Sequence, residues 1–427
     1  MRTYRDLRQA PEFRPIFLTS AVQVAAQTVS GLALGTLIYL ATGSALLSAL
    51  GMFGPSLAQL IGATTFLSAA DRLPPRATMT TSCLAFGLGT AALALPGLPV
   101  WADFAIVMTL GLVASLGGGV SYGLLNEILP RDSYLLGRSV LNMSVGVMQI
   151  CGFAVGGVLV ATLSPRGTLL AGAAMYLAAA AVARFGLSRR PPRAAGRPSI
   201  RTTWRNNAWL WSSPARRYVY LALWVPNGLI VGCESLFVSY APGHAGLLFA
   251  FAALGMLAGD TLAGRFVPQQ WREWLGAPLR LLLAAPYLIF ALHPALPLAA
   301  AAVALASVGY SASLLLQQRL MILTPDELSG HALGLHSSGM LAMQGVGAAL
   351  AGAIAQQTSP ATAMAVMAAA SVAVTVALAP GLRDRPARRV PQRGCAVSDD
   401  VQTTRLPPGG DAAGLGRTRT HGQRRAP

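Results

Sequence analysis

Residues 15–41 contain no charged side chain, and eleven further mainly apolar stretches follow them along the chain. That succession constrains the fold more than any other feature. About 20 mainly apolar residues in a helix cross the hydrocarbon core of a bilayer. Inside lipid each backbone N–H and C=O must be paired within the protein, so the choices are helices or a closed barrel. Nothing alternates with period two over ten-residue segments, which disfavours the barrel. The spans fall at 15–41, 45–70, 77–96, 101–125, 139–163, 167–187, 217–241, 245–264, 277–293, 296–318, 332–356 and 360–381. Only 11% of the residues are charged, against about 25% in soluble domains. The expected fold is an all-α membrane protein of twelve transmembrane helices.

Charge gives the orientation. All 32 basic residues are arginine and the net charge is +17. Clustered between apolar spans, they point to membrane topology rather than nucleic-acid binding, because arginine accumulates in cytoplasmic loops. With the N-terminus inside, every arginine except Arg166 becomes cytoplasmic. Both termini, the octapeptide AADRLPPR at 69–76 and the basic loop 188–216 are then cytoplasmic. That loop carries Trp204, Trp209 and Trp211, which suit partial packing at headgroup level. Residues 382–427, rich in Arg, Pro and Gly, are expected to be a disordered cytoplasmic tail. The first span runs on past the length of a signal h-region, so it should remain as an anchor. The four cysteines have no metal-like spacing. Cys83, Cys151 and Cys233 are expected to be small buried hydrophobes.

The two halves repeat at an offset of 195. Pro130 matches Pro325, Gln149 matches Gln344, Gly152 matches Gly347, Gly157 matches Gly352, and Ser164-Pro165 matches Ser359-Pro360. Asp132 meets Glu327. Two six-helix repeats in the same orientation make a transporter architecture. The expected domains are 1–187, a six-helix bundle; 188–216, the central loop; 217–381, the second bundle; and 382–427, the tail.

With these features the chain resembles the major facilitator superfamily over roughly residues 10–385, in the manner of its drug and natural-product exporters. The family's loop between spans two and three reads G-x-x-x-D-R-x-G-R-[RK]. Asp71, Arg72 and Arg76 match it, whereas Leu67, Pro74 and Pro75 depart from it. The corresponding turn of the second half is GDTLAGRF, with Asp260 and Arg265. The resemblance implies that Asp71, Arg72, Arg76, Asp260 and Arg265 form a cytoplasmic gate, latching the halves while the site faces outward. Carboxylates near helix N-termini and guanidinium–carboxylate contacts can both break and reform. A solvated turn that only ends span two is the other reading. The exporter motif G-P-x-x-G-G has its counterpart in GFAVGG at 152–157, with Phe153 in the proline position. Gly152, Gly156 and Gly157 are expected to serve close helix packing, as are Gly347 and Gly352. Gln149 and Gln344 are expected to bridge the halves. The family's arginine in span four is missing.

Polar groups at membrane depth face a cavity or a partner. Span one offers Ser20, Gln23, Gln27 and Ser30 on one face, span four Ser115 and Tyr122, and span seven Trp224, Asn227 and Glu234. Span ten adds Ser307, Tyr310 and Ser311. By the resemblance these four spans line a central cavity. Gln23, Gln27, Tyr122, Asn227, Glu234 and Tyr310 are therefore candidates for substrate binding or coupling, with interhelical hydrogen bonding the alternative, favoured for the serines. Glu234 binds a coupling proton, meets a cationic part of the substrate, or is a hydrogen-bonded acid near the outer mouth. No basic residue is expected at membrane depth, so a salt bridge is the least suitable remedy for it.

The leading function is export of a small, largely apolar compound by secondary transport, an efflux antiporter if protons are coupled. Uptake of a small polar solute is the alternative. A membrane receptor or scaffold, or a lipid-modifying enzyme, is the alternative from another class. Against an enzyme, the spans hold no His/Asp/Glu cluster, and His331 and His336 lack carboxylates in a metal spacing. There is no glycine–lysine phosphate loop, since there is no lysine. The expected partners are a small-molecule substrate, membrane lipid and protons, without nucleic acid, metal or cofactor, in a monomer of the plasma membrane.

Overall fold

The computed structural model describes residues 12–70, 74–129, 131–191, 200–325 and 328–382. Side chains at 63–70, 116–119, 121–123, 126, 131–136, 138–139, 142, 200–203, 269 and 272–273 lie outside that description. These residues belong to one compact unit, Met1–Arg383; Asp384–Pro427 form a second, which falls outside the described residues. So do Asp71, Arg72 and the expected tail.

The first half comprises α1 (Phe13–Thr42), α2 (Ala45–Ala70), α3 (Pro75–Leu93) and α4 (Val100–Ile128). The helical segment Arg131–Gly186 follows and breaks at Ser164, whose φ is 74°. It therefore supplies α5 (131–163) and α6 (165–186). The second half comprises α7 (Pro214–Ser235), prolonged by Phe237–Tyr240, α8 (Ala245–Phe266) and α9 (Gln269–Ala284), prolonged by the 3₁₀ turn Ala285–Leu292. α10 (Leu296–Ile322), α11 (Ser329–Gln357) and α12 (Pro360–Leu382) complete it. Among the described residues these are twelve helical spans and no strand.

The Ser-Pro repeat shows why the halves correspond. Ser164 Oγ accepts the Gly167 N–H at 3.4 Å, and Ser359 Oγ accepts the Thr362 N–H at 3.1 Å. Each serine caps the last helix of its half, with proline at the first helical position, where no N–H is needed. The paired glycines repeat their contacts too. A Cβ on Gly152 would strike Thr28 of α1, and one on Gly347 would strike the Gly228 carbonyl of α7. Both hold the fifth helix of a half against the first. Gly156 lies against Val29 of α1. Gly157 instead touches Gly246 of α8, and Gly352 touches Leu46 of α2, so both look across to the other half. Without a hydrophobic drive between helices in lipid, such close backbone approach supplies the packing.

The halves meet where α2 runs along α11 and α5 along α8. Phe153 stacks on Phe249 with centroids 4.6 Å apart, and Ser44 Oγ donates to Gln356 Oε1 at 3.1 Å. The contacts at Gly157, Gly352 and Ser44 lie at the end holding the Gly43 turn. Gly352→Leu is expected to pry this end open. Cysteines at positions 44 and 356, on a cysteine-free background, should then crosslink far less than in the parent. Equal crosslinking would mean that Gly352 is not needed for closure.

Several expectations need correction. Gln149 and Gln344 have no hydrogen-bond partner among the described residues, whereas Ser44 and Gln356 are hydrogen-bonded across the halves. Cys83 and Cys233 are buried, but Cys151 is exposed. Ser115 and Ser311 hydroxyls bond carbonyls three residues back in their own helices, at 2.7 and 2.8 Å, rather than a neighbouring helix. The loop 188–216 contains a helix, Ile200–Ser212, with Trp204 and Trp209 exposed. Arg216 pins it, donating to the carbonyls of Leu210, Trp209 and Leu323 at 2.9–3.1 Å and covering the Trp209 ring at 4.1 Å. Finally, the ninth span begins at Gln269 rather than 277, with Trp271 and Trp274 exposed on its first turns. Arg280, three residues into the expected span, therefore lies at mid-helix and is fully buried.

Candidate transport site

A cavity of about 370 Å³ opens inside the first half, within the range of small-molecule sites. Among the described residues, those that line it come from α1–α6, and none is acidic, basic or histidine. Gln23 and Gln27 of α1 face Gln59 of α2 across it, with Ser82 and Phe86 of α3 and Tyr176 of α6. The helical spacing of four sets Gln23 and Gln27 on one face of α1. Gln23 Oε1 has only the Cys83 thiol, at 3.9 Å. The amides of Gln27 and Gln59 have no hydrogen-bond partner among the described residues. Ser30, on the same wall, keeps a buried and unbonded hydroxyl. Phe86 and Tyr176 stack with centroids 5.3 Å apart. The wall thus pairs an aromatic platform with unspent amide donors and acceptors. Such a surface suits an uncharged ligand, because no fixed charge offsets the desolvation of an ionic one.

The other candidates lie elsewhere. Asn227 is 1% exposed; its Nδ2 donates to Met340 Sδ at 3.1 Å, within the second half. Glu234 is 8% exposed and accepts the Tyr310 hydroxyl at 3.0 Å. None of these three lines the cavity. The cavity draws its described lining from spans one to six of the first half. Tyr122 lies on α4, with its side chain outside the description. Of the gate residues, Arg76 starts α3, while Asp260 and Arg265 sit on the last turns of α8.

Sequence reasoning missed Arg190. At the end of the first half opposite the Gly43 turn, it bridges Glu12 at 3.1 Å and Glu127 at 3.3 Å. It also missed why Arg166 departs from the arginine distribution. Arg166 and Asp103 share a pocket of about 50 Å³ at the Gly43 end, beside Val100 and Leu95. A basic residue facing an acid across a small pocket needs no cytoplasmic loop to hold it.

A family model described as Major Facilitator Superfamily matches residues 16–244. The chain belongs to the Major Facilitator Superfamily. No curated protein sequence matches it. Among solved structures, it is similar to a POT family transporter in complex with a thioalcohol-conjugated peptide. The TM-score is 0.70 at 10% identity, over 87% of this chain and 96% of the other. It is also similar to a bacterial homolog of the human lysosomal transporter Spinster, inward-facing and unoccupied. There the TM-score is 0.64 at 16% identity, over 87% and 95%. The peptide transporter POT in complex with sulfate gives 0.67 at 14%, over 87% and 94%. At these identities the likeness concerns the fold. As a superfamily member this protein is a multi-pass membrane transporter rather than an enzyme.

Proposed function

We propose that this transporter exports a small, uncharged and largely apolar compound by alternating access, in exchange for protons taken up at Glu234. The charge-free cavity carries the reading of the substrate. Its volume limits the ligand to a small molecule, and its mixed lining of Leu, Val and Phe with three glutamines suits an amphiphile. The arginine distribution supports a plasma-membrane orientation with both termini inside, which makes the Gly43 end the outer one. The contacts of Gly157, Gly352 and Ser44 are then the closed outer gate. Asp71, Arg72 and Arg76, with Asp260 and Arg265 in the second half, serve as its cytoplasmic counterpart. Bodies 1–187 and 217–381 rock against each other and so open the cavity of the first body to either side in turn, in a monomer.

Uptake of a small polar solute is the second reading, favoured by the unbonded amides of Gln27 and Gln59. Purified protein in proteoliposomes separates the two. Impermeant thiol labelling of a cysteine at position 200 would report its orientation. Export predicts that a neutral amphiphile accumulates on the side of the outer gate, and faster under an inward proton gradient. Flux of neutral polar solutes alone would favour uptake. No protein-dependent flux of either kind would overturn both.

A further inference from the structure

The helix Ile200–Ser212 between the halves has one buried side and one exposed side. Leu210 is fully buried, in a core with Val219, Leu223 and Leu320. Trp204, Ala208 and Trp211 follow the i, i+4 and i+7 spacing of one helix face and are exposed. Arg205 and Trp209 flank that face and are exposed too. An indole joins an apolar body to a polar N–H, and such rings collect at the level of lipid headgroups.

The helix is held at that level. Arg216, in the first turn of α7, donates to the carbonyls of Trp209, Leu210 and Leu323, the last directly after α10. Asn206 Nδ2 lies 3.4 Å from His331 Nε2 in the first turn of α11. These are the ends of three membrane-spanning helices, where hydrocarbon gives way to headgroups.

Charge identifies what the exposed face meets. Residues 184–217 contain nine arginines and no acid. Arg190 is engaged by Glu12 and Glu127, and Arg216 by its carbonyls. Arg189, Arg205 and Arg217 are exposed and make no ion pair among the described residues. Arg201 stands one turn before Arg205 in the helix. The negative charge available at headgroup depth is lipid phosphate, and basic clusters beside a membrane-spanning helix attract it.

We propose that the exposed face of Ile200–Ser212 binds anionic phospholipid in the adjacent leaflet. The Arg205 guanidinium meets the phosphate, and the indoles of Trp204 and Trp209 meet the boundary between glycerol and acyl chain. Because the helix is tied to the second half, bound lipid anchors that half to the leaflet. The site is separate from the cavity and does not depend on the substrate or the direction of transport.

Quenching by brominated lipid tests this. Ala208→Cys, on a cysteine-free background, carries a fluorophore in the full-length protein. The bilayers are phosphatidylcholine with graded fractions of brominated phosphatidylglycerol or brominated phosphatidylcholine. Phosphatidylglycerol should quench several-fold beyond its mole fraction, and phosphatidylcholine only in proportion to it. Adding Arg201→Gln and Arg205→Gln, or raising the salt, should bring phosphatidylglycerol down to the level of phosphatidylcholine. Both substitutions lie on a surface helix, and monodisperse protein after reconstitution confirms that the fold is kept. Equal quenching by the two lipids in the parent would overturn the site. So would quenching by neither lipid together with full quenching by aqueous iodide, which would put the face in water. A double-stranded oligonucleotide that relieves the phosphatidylglycerol quenching at low concentration would overturn it as well, making a soluble polyanion the better ligand.

Discussion

Ala114→Trp is expected to reduce transport to about a tenth of wild type or less, while the protein still inserts and folds. Ala114 lies on α4 and lines the cavity beside Gly111. An indole there projects into about 370 Å³ of space that otherwise holds the substrate. Binding within that volume must be lost, and a tenfold loss needs only about 1.4 kcal/mol of binding free energy. The packing of the half changes less, because the added ring fills space instead of displacing neighbours. Leu88→Trp is the control. Leu88 is 65% exposed on α3 and does not line the cavity, so a tryptophan there should leave flux near wild type. The measurement is initial rate in proteoliposomes, normalised to inserted protein. Wild-type flux from Ala114→Trp would mean that substrate passes elsewhere, such as between the halves.

Much of the fold was legible because lipid imposes a simple rule on sequence: about 20 apolar residues, then a break. The Ser-Pro pairs at 164–165 and 359–360 and the glycines at 152, 157, 347 and 352 expose the repeat, since close packing and capping tolerate few other residues. What failed has one physical source. A charged residue ends a span in a hydropathy reading whether it stands at the membrane surface or in a buried core. The ninth span is therefore read from 277, beyond the charged pair Arg272 and Glu273, although helix continues back to Gln269. The exposed Trp271 and Trp274 on those first turns were the available signal, because tryptophan marks the interface. The linker helix was missed for a related reason. Its polar composition resembles a loop, and what holds it is Arg216 on three carbonyls.

The candidate site was legible as a set of helices but not as a place. Gln23 and Gln27 stand out as glutamines on one face of an apolar helix, and they do line the cavity. Gln59 belongs with them but is a lone polar residue in α2, so spacing could not find it. Asn227, Glu234 and Tyr310 share depth and character with the glutamines, yet they face the interior of the second half. Spacing within one helix says which residues share a face; which neighbour that face meets depends on packing between helices. That is why neutral and ionisable groups look alike along the sequence, although Asn227, Glu234 and Tyr310 do not line the cavity.

The position of Glu234 outside the cavity wall makes Glu234→Gln a sharp test of coupling. The substitution keeps the shape of the side chain and a group that can still accept from Tyr310, but it cannot exchange a proton. Accumulation driven by a pH gradient requires that exchange. It should fall at least about tenfold, because a glutamine cannot carry the proton. Exchange of substrate between two equal pools needs only the cavity, and Glu234 is not part of its wall. Exchange should therefore persist even where accumulation does not. Loss of both would make Glu234 a structural acid, whose main task is to hold the α7–α10 contact through Tyr310. Were accumulation by Glu234→Gln to match wild type across pH 5.5–8, the proton would bind elsewhere. Its unequal effect on the two modes is the signature of a coupling group that never touches the cargo.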